Sequence, residues 1–414
     1  MIKSGINQLR SSNGEGASII FAGDYCPMRG SDAKEMLATG KVNNIVKGVK
    51  PAFDTSDIKV LQWETVCGLE GDPIFKSGPN LQSEVYSIEF AKALGIDVAL
   101  LANNHTGDFG PEMALKTKER LEDAGMMTVG VGKNAVEAAK KIVLERNGMS
   151  IAILNFCENE FGIAGKNKPG TAGYDIINIA RSVAEAKKSS DIVILTLHGG
   201  HEQNPLPSPR MTQAFRYFAT CGADIVFNCH THCIGGVEFV GKVPVVYSPG
   251  NFFFTRVDEP PTDLEADKVW RTGYMPKFHF DKDGVYAFEI IPYYFSQSEI
   301  MLLEGEREEK FFNYLNKLNA IIADDEAVAR YFDGWSYARG YKGYLNAIIR
   351  GIPSTIPNIK VKEEIAPFLG TRNIFTCESH NDMIKNTMRL IEEGRLEEVA
   401  PIYEEMKELM VLDF

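Results

Sequence analysis

Five of the seven histidines in the chain follow short, apolar and β-branched runs of the kind that form buried strands. The runs are residues 98–101, 192–197 and 225–227, and polar side chains come after each of them. Because the carboxyl ends of parallel strands converge on one edge of an α/β sheet, these histidines are expected to share one site. They are His105, His198, His201, His230 and His232.

Three further polar residues at predicted strand ends complete a typical set of metal ligands. Asp24 and Glu64 each follow an apolar run, and Asn104 directly precedes His105. Carboxylate, imidazole and amide groups bind divalent transition metals, and a carboxylate can bridge two cations that lie about 3.5–4 Å apart. His105 would then be available as a general acid toward a leaving oxygen.

Each of these signals has an ordinary structural explanation when it stands alone. Asp24 after a glycine is typical of a turn or a helix cap, and Asn103-Asn104 is typical of a left-handed turn. The His-x-His pair at 230–232 is ambiguous, because residues two apart share one face of any extended segment. The clustering of ligand-type residues at several strand ends favours a shared polar site over these separate explanations.

The remaining candidates are interpreted as structural. His279 lies within a predicted strand and His380 within a helical segment, so both are expected to pack rather than to act. Cys229 and Cys233 flank the histidine pair, but no C-x-x-C pair elsewhere completes a structural zinc site, and they are predicted to be reduced neighbours. The phenylalanine run at 252–254 is predicted to pack in the core.

Composition excludes several classes of function. The chain has 414 residues, a formal net charge of −12, 44% hydrophobic and 24% charged residues. An acidic surface of this kind argues against nucleic-acid binding and against attraction to an anionic membrane. No apolar run approaches the length of a membrane span, and the first residues lack a secretory signal, so a cytoplasmic protein is expected. Seven scattered cysteines fit reduced thiols.

The order of predicted elements indicates an α/β fold with a helical addition. Residues 1–16 are polar and are expected to form a flexible lead-in. Residues 17–300 alternate strands, helices and hairpins, which favours a two-sheet α/β/β/α sandwich over a purely parallel sheet. Residues 301–414 show helical periodicity, with helices predicted at 306–323, 327–349 and 382–412, and are expected to pack on or beside the first domain.

Taken together, the motifs resemble one family in order and approximate spacing. The resemblance is to the bacterial CapA-type, or poly-γ-glutamate capsule-biosynthesis, proteins, whose fold is that of the calcineurin-like metallophosphatases. It covers about residues 17–255 and does not include the helical region. The motifs are Gly23-Asp24, Trp63-Glu64-Thr65, Asn103-Asn104-His105-Thr106-Gly107-Asp108-Phe109-Gly110, His198-Gly199-Gly200-His201-Glu202, His230-Thr231-His232 and Ser248-Pro249-Gly250-Asn251-Phe252.

The resemblance implies a role for each site residue. Glu64 would be the bridging carboxylate, His105 takes the position of the catalytic histidine, and Glu202 occupies the carboxylate place of a His-x-Gly-x-Glu pattern. Asp108 is expected to orient His105 through a hydrogen bond. The metal positions are Asp24, Glu64, Asn104, His198, His230 and His232.

One departure from the wider metallophosphatase pattern bears on the number of metals. Cys26 stands where that pattern places a second histidine ligand. A thiolate could bind a soft cation such as zinc; otherwise one metal position is short of a ligand, which leaves a mononuclear or weakly dinuclear site. The expected cofactor is therefore one or two divalent ions, Mn, Zn or Fe.

Two functions of different classes remain open at this point. The first is a metal-dependent, metallophosphatase-like hydrolase that acts on a phosphoester or a polyglutamate-type amide by metal-activated water. The second is a non-catalytic accessory or binding protein in the biosynthesis of a capsule or polyglutamate polymer. The partner is accordingly a small molecule or an anionic polymer. A purely structural module would leave the set of ligand-type residues unexplained.

Overall fold

The structure is a computed structural model that describes residues 1–27, 35, 37–255, 268–352 and 357–414. The strands are β1 (Asn7–Gln8), β2 (Ala17–Pro27), β3 (Ile58–Trp63), β4 (Val66–Cys67), β5 (Gln82–Ser83), β6 (Val98–Leu100), β7 (Met127–Val129), β8 (Val131–Gly132), β9 (Ile142–Arg146), β10 (Met149–Cys157), β11 (Gly170–Thr171), β12 (Ile192–His198), β13 (Ile225–Cys229), β14 (Val237–Val240), β15 (Val243–Val246), β16 (Asn251–Thr255), β17 (Thr272–Asp281), β18 (Gly284–Phe295) and β19 (Ile300–Leu302).

The helices follow in the same order along the chain. They are α1 (Val42–Val46), α2 (Lys50–Asp54), α3 (Ile88–Leu94), α4 (Pro111–Asp123), α5 (Ala135–Ala138), α6 (Ile176–Lys187), α7 (Pro209–Thr220), α8 (Lys268–Arg271), α9 (Glu306–Ile322), α10 (Asp325–Trp335), α11 (Leu345–Gly351), α12 (Lys362–Thr376), α13 (Glu378–Glu392) and α14 (Leu396–Leu409). A 3₁₀ turn (Val85–Ser87) precedes α3, and a π-helix (Ser336–Tyr344) joins α10 to α11.

The larger sheet places three of the predicted ligands side by side. Its strand order is β1-β18-β17-β2-β3-β6-β7, with β16 also paired to β2 and β19 to β18. Strands β2, β3, β6 and β7 are parallel. Strand β2 pairs with β17 along its first half and with β16 from Asp24 onward. The carboxyl ends of β2, β3 and β6 therefore form one edge of the sheet.

The smaller sheet contributes a second row of strand ends. Its order is β14-β15-β13-β12-β10-β9, and β10, β12, β13 and β15 are parallel. Strand β9 returns antiparallel to β10 through Asn147 and Gly148, whose φ values are 50° and 68°. A turn with two left-handed residues matches the twist of the flanking strands, and Asn-Gly is the pair that adopts it most readily.

The two sheets pack face to face, and helices cover their outer faces. Phe21 of β2 stacks on Phe227 of β13 with ring centroids 4.5 Å apart, and both rings are fully buried. On the outer face of the larger sheet, Phe90 of α3 stacks on Phe253. Burying each such ring stabilises the fold by about 1.5–3 kcal/mol. The fold is thus the predicted two-sheet α/β sandwich, and residues 252–254 pack in its core.

The helical region packs against the sandwich at two places. Helix α9 buries Phe311 and Leu315 in the same core that lies between the sheets. The later helices form small apolar clusters of their own, one of them built from Trp335, Met383 and Met406. These later helices lie over the edge of the sandwich at which the strand ends meet. The division of the chain at residue 300 stays a prediction, because α9 shares the core of the sandwich.

The helical region differs in detail from the sequence prediction. The predicted helix at 327–349 consists of α10, the π-helix and α11. The predicted helix at 382–412 is two helices, separated at Gly394, whose φ of 69° ends α13. Helix α12 was not predicted, because Pro367 and a glycine interrupt its pattern. Tertiary packing decides these boundaries.

Residues 1–16, expected to be a flexible lead-in, make specific contacts in the structure. Strand β1 pairs with β18, and the guanidinium of Arg10 forms an ion pair with Asp281. The amide nitrogen of Ile2 donates to Asn316 Oδ1 at 2.8 Å, and Ile2 is buried. This segment therefore ties the larger sheet to α9.

Two further sequence expectations concern the whole chain. The seven cysteines are free thiols. Within the described ranges, no helix combines the length and apolar character that crossing a membrane requires.

Candidate metal centre

The larger sheet presents two carboxylates and one amide at its edge. Asp24, on β2, and Glu64, directly after β3, are fully buried. Asn104 lies after β6 in a loop that Asn103 holds: its side-chain amide donates to the carbonyl of Trp63 at 2.8 Å, and its Oδ1 accepts from the backbone amide of His105 at 3.0 Å. The loop is thereby tied to the end of the neighbouring strand.

The smaller sheet presents three histidines opposite them. His198 is the last residue of β12, and His230 and His232 follow β13. His230 and His232 have φ values of 105° and 55°, in the left-handed region that residues with a side chain rarely adopt. Such a conformation costs about 1–3 kcal/mol and persists where the surrounding structure enforces it, commonly at functional sites. Here the amide of His230 donates to Asp24 Oδ2 at 3.1 Å.

Five of the six predicted ligands lie together in two overlapping clusters, and Asn104 lies beside the first of them. The first joins Glu64, His198 and His230, and the second joins Asp24, Glu64 and His232; within each, the donor atoms are all within 4.8 Å of one another. Glu64 belongs to both clusters. This is the arrangement in which one carboxylate bridges two cations.

The donor spacing of the first cluster fits a metal ion. His198 Nε2 lies 3.1 Å from Asn104 Oδ1, 3.2 Å from His230 Nδ1 and 3.3 Å from Glu64 Oε1. Two donors bound tetrahedrally to one cation at about 2.0 Å are about 3.3 Å apart. With the amide oxygen of Asn104 included, four donors converge at the first cluster, whereas the second cluster has three.

Several polar atoms of these residues are buried without any hydrogen-bond partner. Both carboxylate oxygens of Glu64, Asp24 Oδ1 and His198 Nδ1 are in this state. Burial raises the pKa of Glu64 to about 8 and, with the charge of Glu64, raises that of Asp24 well above its usual value. Burial also lowers the pKa of His230 to about 4. Buried carboxylates and neutral imidazoles without partners are what a cation would satisfy.

Cys26 belongs to neither cluster of metal-ligating groups found among the described residues. Its side chain is fully buried in the apolar core under α3, and burial raises the pKa of its thiol well above the usual value. The second cluster therefore has three donors, in line with the expectation that Cys26 leaves one metal position short of a ligand.

His105 lies beside the clusters and is held by a buried ion pair. Its Nδ1 is 2.7 Å from Asp108 Oδ2, and its Nε2 is 4.0 Å from Glu64 Oε1. Asp108 also pairs with Lys76 and accepts from the backbone amide of Leu81. A carboxylate at Nδ1 fixes the orientation of the ring and directs Nε2 toward the metal-binding residues.

His232 is oriented by a residue that sequence reasoning noted only as part of a motif. Its Nδ1 lies 2.8 Å from Asn251 Oδ1, and the amide nitrogen of Asn251 donates to the carbonyl of Trp270 at 3.0 Å. That second bond fixes which end of the amide faces the ring. His232 Nδ1 therefore donates, and Nε2, 3.9 Å from Glu64 Oε1, is left as the ligand atom.

A cleft of about 380 Å³ opens beside the clusters. One wall is the edge of the sandwich, which contributes Asn104, His105, Glu160 and Glu202, and the other wall comes from the helical region. Desolvation alone would raise the pKa of the Glu202 carboxyl. The positive potential of the nearby imidazoles, that of His232 first, outweighs this effect and lowers the pKa. The helical wall consists of Trp335, Arg339, Tyr344, Asn373, His380 and Met383.

His380, interpreted from the sequence as structural, lies on the wall of the cleft. That interpretation rested on its place in a helical segment, and the structure puts it in the first turn of α13. Glu160 was also missed: its Oε2 accepts from Asn373 at 2.9 Å, and its Oε1 lies 3.9 Å from His230 Nε2. No local pattern marks either residue, since both reach the site through tertiary contacts.

His279 is 2.9 Å from Glu289 within the β17–β18 hairpin, in agreement with a structural role.

A buried polar network docks the helical region on the edge of the sandwich. Glu158, directly after β10, accepts from the hydroxyl of Ser379 at 2.8 Å and pairs with Arg210. Arg210 also bonds Asp382 through Nε at 2.6 Å, and His201 Nε2 lies 2.8 Å from the carbonyl of Ser379. Although burial opposes it, Arg210 and Ser379 lower the pKa of Glu158 to about 2. The predicted histidine His201 therefore serves the docking contact and lies outside both clusters.

Sequence comparison identifies the family to which this site belongs. Residues 18–256, more than half of the chain, match the bacterial capsule synthesis protein family PGA_cap. The chain belongs to this family. The matched range includes the six predicted ligands, together with His105, Asp108 and Glu202, and it ends before the helical region.

Curated relatives carry the same family name. The chain is 28% identical over 284 residues to the PGA biosynthesis protein CapA of Bacillus subtilis. The match covers 66% of this chain and 70% of that protein. It is 24% identical over 290 residues to the capsule biosynthesis protein CapA of Bacillus anthracis, covering 67% of each.

Solved structures align over a similar share of the chain. A novel phosphatase from Mycoplasma pneumoniae aligns with a TM-score of 0.42 and 15% identity, covering 72% of this chain and 99% of that one. A hypothetical protein from Thermus thermophilus aligns with a TM-score of 0.41 and 11% identity, covering 67% of this chain and 99% of that one. The family assignment rests on the sequence matches.

Proposed function

We propose that this capsule-synthesis family protein is a metal-dependent hydrolase that cleaves a phosphoester or a polyglutamate-type amide. The observation that carries the proposal is Glu64, a fully buried carboxylate without hydrogen-bond partners that belongs to both donor clusters. A carboxylate in this position is suited to bridge two divalent ions. The relatives named for capsule and PGA biosynthesis support the polymer as one substrate class.

The donor set suits Mn, Zn or Fe, because it combines carboxylate, amide and imidazole ligands. Glu64, Asn104, His198 and His230 would hold one ion, and Asp24, Glu64 and His232 a second. A bound ion supplies an activated water and stabilises negative charge that develops on the reacting group. The three-donor cluster is expected to bind its ion more weakly.

The protein's own groups perform the proton transfer. His105 Nε2 faces the metal-binding residues, so it is placed to donate a proton to the leaving oxygen or nitrogen. Asp108 and Lys76 keep the ring in that orientation, since Asp108 accepts at Nδ1 and Lys76 pairs with Asp108. Glu202 lines the cleft in its charged form and offers a second carboxylate to an attacking water or to a substrate amine.

Metal analysis combined with turnover tests the proposal. Purified protein loaded with Mn²⁺ or Zn²⁺ is assayed for moles of metal per chain and for hydrolysis of phosphodiester and γ-glutamyl amide probes. Asn104→Ala and His230→Ala should each lower the metal content. His105→Ala should retain the metal and lose about 10²–10⁴-fold in turnover.

His279→Ala is the matched control, because that histidine lies away from the clusters and should change neither quantity. Loss of metal in His105→Ala to the extent seen in His230→Ala would contradict the assigned roles. Absence of metal in the loaded wild-type protein would favour the non-catalytic accessory role in polymer biosynthesis instead.

A further inference from the structure

Arg339 brings a positive charge without an acidic partner to the helical wall of the cleft. Among the described residues, no carboxylate lies within ion-pair distance of its guanidinium. The group is nevertheless held in place: its Nη2 donates to Gln203 Oε1 at 3.2 Å, and its central carbon lies 5.1 Å from the centroid of the Trp335 ring. An exposed arginine that is fixed by an aromatic face and one hydrogen bond keeps its other N–H groups for a ligand.

His380 adds an unused polar atom on the same wall. Its Nδ1 is buried and has no hydrogen-bond partner, while its ring packs edge-on against Tyr344 with centroids 5.0 Å apart. A buried ring nitrogen without a partner is unfavourable unless a ligand or water completes it. Both residues line the cleft that also contains His105 and Asn104.

The backbone around these residues is irregular and tightly fixed. Arg339 lies on the nine-residue π-helix Ser336–Tyr344, a rare conformation that is frequent at functional sites. Gly340 of that helix packs directly on α13, since a Cβ there would lie 2.0 Å from Thr387 Oγ1. Thr387 in turn donates to the carbonyl of Ser336 at 3.1 Å. The close approach holds the π-helix, with Arg339, beside the helix that carries His380.

The other charged groups of the cleft are already engaged. Lys76 pairs with Asp108, and its side chain is only 3% exposed. Of the two acidic residues, Glu160 is bound by Asn373 and lies 3.9 Å from His230, and the exposed Glu202 has its negative charge offset in part by the positive potential of the nearby imidazoles. Because the chain as a whole carries a net charge of −12, an anionic substrate needs a local cationic group to approach the metal centre.

We propose that Arg339 and His380 form an anion-binding subsite of the cleft, which holds a carboxylate or phosphate group of the substrate away from the bond that is cleaved. The subsite comes entirely from the helical region, outside the residues that match the family. It rests on the proposed function in one respect, because the molecule that it holds is the one the metal centre hydrolyses.

Matched ligand pairs that differ in a single anionic group test the subsite. Binding to the metal-loaded full chain is measured by calorimetry for 4-carboxyphenyl phosphate against phenyl phosphate, and for γ-glutamylglutamate against γ-glutamylglutamine. The wild-type protein should prefer the acid in at least one pair by about 10- to 100-fold, the effect of one hydrogen-bonded charge pair. The pair that shows the preference identifies whether phosphate-bearing or peptide-type ligands place a carboxylate there.

Arg339→Met should abolish that preference and leave phenyl phosphate binding unchanged, and His380→Gln should reduce it. Arg350→Met is the control, because Arg350 is an exposed arginine of α11 that does not line the cleft. Absence of any preference in the wild-type protein, or its persistence in Arg339→Met, would overturn the subsite. A preference without hydrolysis of any probe would instead keep the subsite and reject the hydrolase.

Discussion

The two walls of the cleft are built in different ways. Asn104 and His105 on the sandwich wall are buried and follow β6, a strand that the larger sheet holds between two neighbours. On the helical wall, Arg339 is exposed and His380 is half-buried, and both lie on helices that contact the sandwich mainly through side chains. The metal ligands behind the sandwich wall are shielded from water, whereas the helical wall offers the exposed guanidinium of Arg339 to the cleft.

This difference separates the two tasks of the site. A metal centre requires donors fixed within a few tenths of an ångström, and strand ends provide that precision. Recognition of the rest of a substrate needs groups that can be reached from solvent, and these can change without disturbing the metal ligands. The family match follows the same division, since it ends at residue 256 and leaves the helical wall outside.

The largest expected effect concerns the carboxylate that both clusters of the metal centre share. Glu64→Gln removes the charge common to both clusters, so the protein should lose metal from both positions. Asp24→Asn alters only the three-donor cluster and should lower the metal content in part. Elemental analysis after loading and dialysis measures both variants. Full metal retention in Glu64→Gln would show that the two clusters do not depend on a bridging group.

The next largest effect is expected in the polar network that docks the helical region on the sandwich. Glu158→Gln breaks a buried ion pair with Arg210, so the free energy of unfolding should fall by about 2–3 kcal/mol. This is at the lower end for buried pairs, because Asp382 remains as a partner of Arg210. Metal content should stay unchanged, because Glu158 belongs to neither cluster. Urea denaturation and elemental analysis test the two statements together.

Glu398→Gln, which removes an exposed partner of Arg395 in the same helical region, should have little effect on stability. Should Glu158→Gln also lose its metal, the two walls would be coupled more closely than their construction indicates.

The sequence predicted the sandwich wall because local rules decide its structure. Apolar runs marked the strands, and the polar residues after them could only meet at one edge once the strands were parallel. Local rules also operate in the turns, since Asn147-Gly148 forms the hairpin between β9 and β10 and Gly95 ends α3 with a φ of 67°. The six predicted ligands all lie in the two clusters or, for Asn104, within 3.1 Å of them.

The helical wall could not be predicted in this way, because its contacts join residues far apart in the chain. Asn159, after β10, donates its backbone amide to Glu378 at 2.8 Å across 219 positions. Nothing in the residues around His380 or Glu160 indicates that they line the same cleft. The π-helix is also invisible in sequence, since it depends on the packing of Gly340 against Thr387.

The two buried glutamates, Glu64 of the metal centre and Glu158 of the docking network, are also expected to differ in the pH dependence of their contribution to stability. In metal-free protein, burial raises the pKa of Glu64 to about 8, above its value in the unfolded chain, so the folded state retains a proton that the unfolded state releases. Stability relative to Glu64→Gln should therefore fall as pH rises from about 4.5 to about 8, by at most about 1.4 kcal/mol per pH unit.

Glu158 should behave in the opposite sense. Its pKa is lowered to about 2, so its stabilising contribution is complete above the unfolded pKa and is lost only as pH falls toward 2. Between about pH 5.5 and 8 the stability difference between wild type and Glu158→Gln should be constant, because this carboxyl is ionised in both states. Urea denaturation of chelator-treated proteins across this range measures both differences. If the two stability differences changed equally with pH, Glu64 would be ionised in the folded protein. Its negative charge would then be balanced by neighbouring groups of the protein rather than by a bound proton.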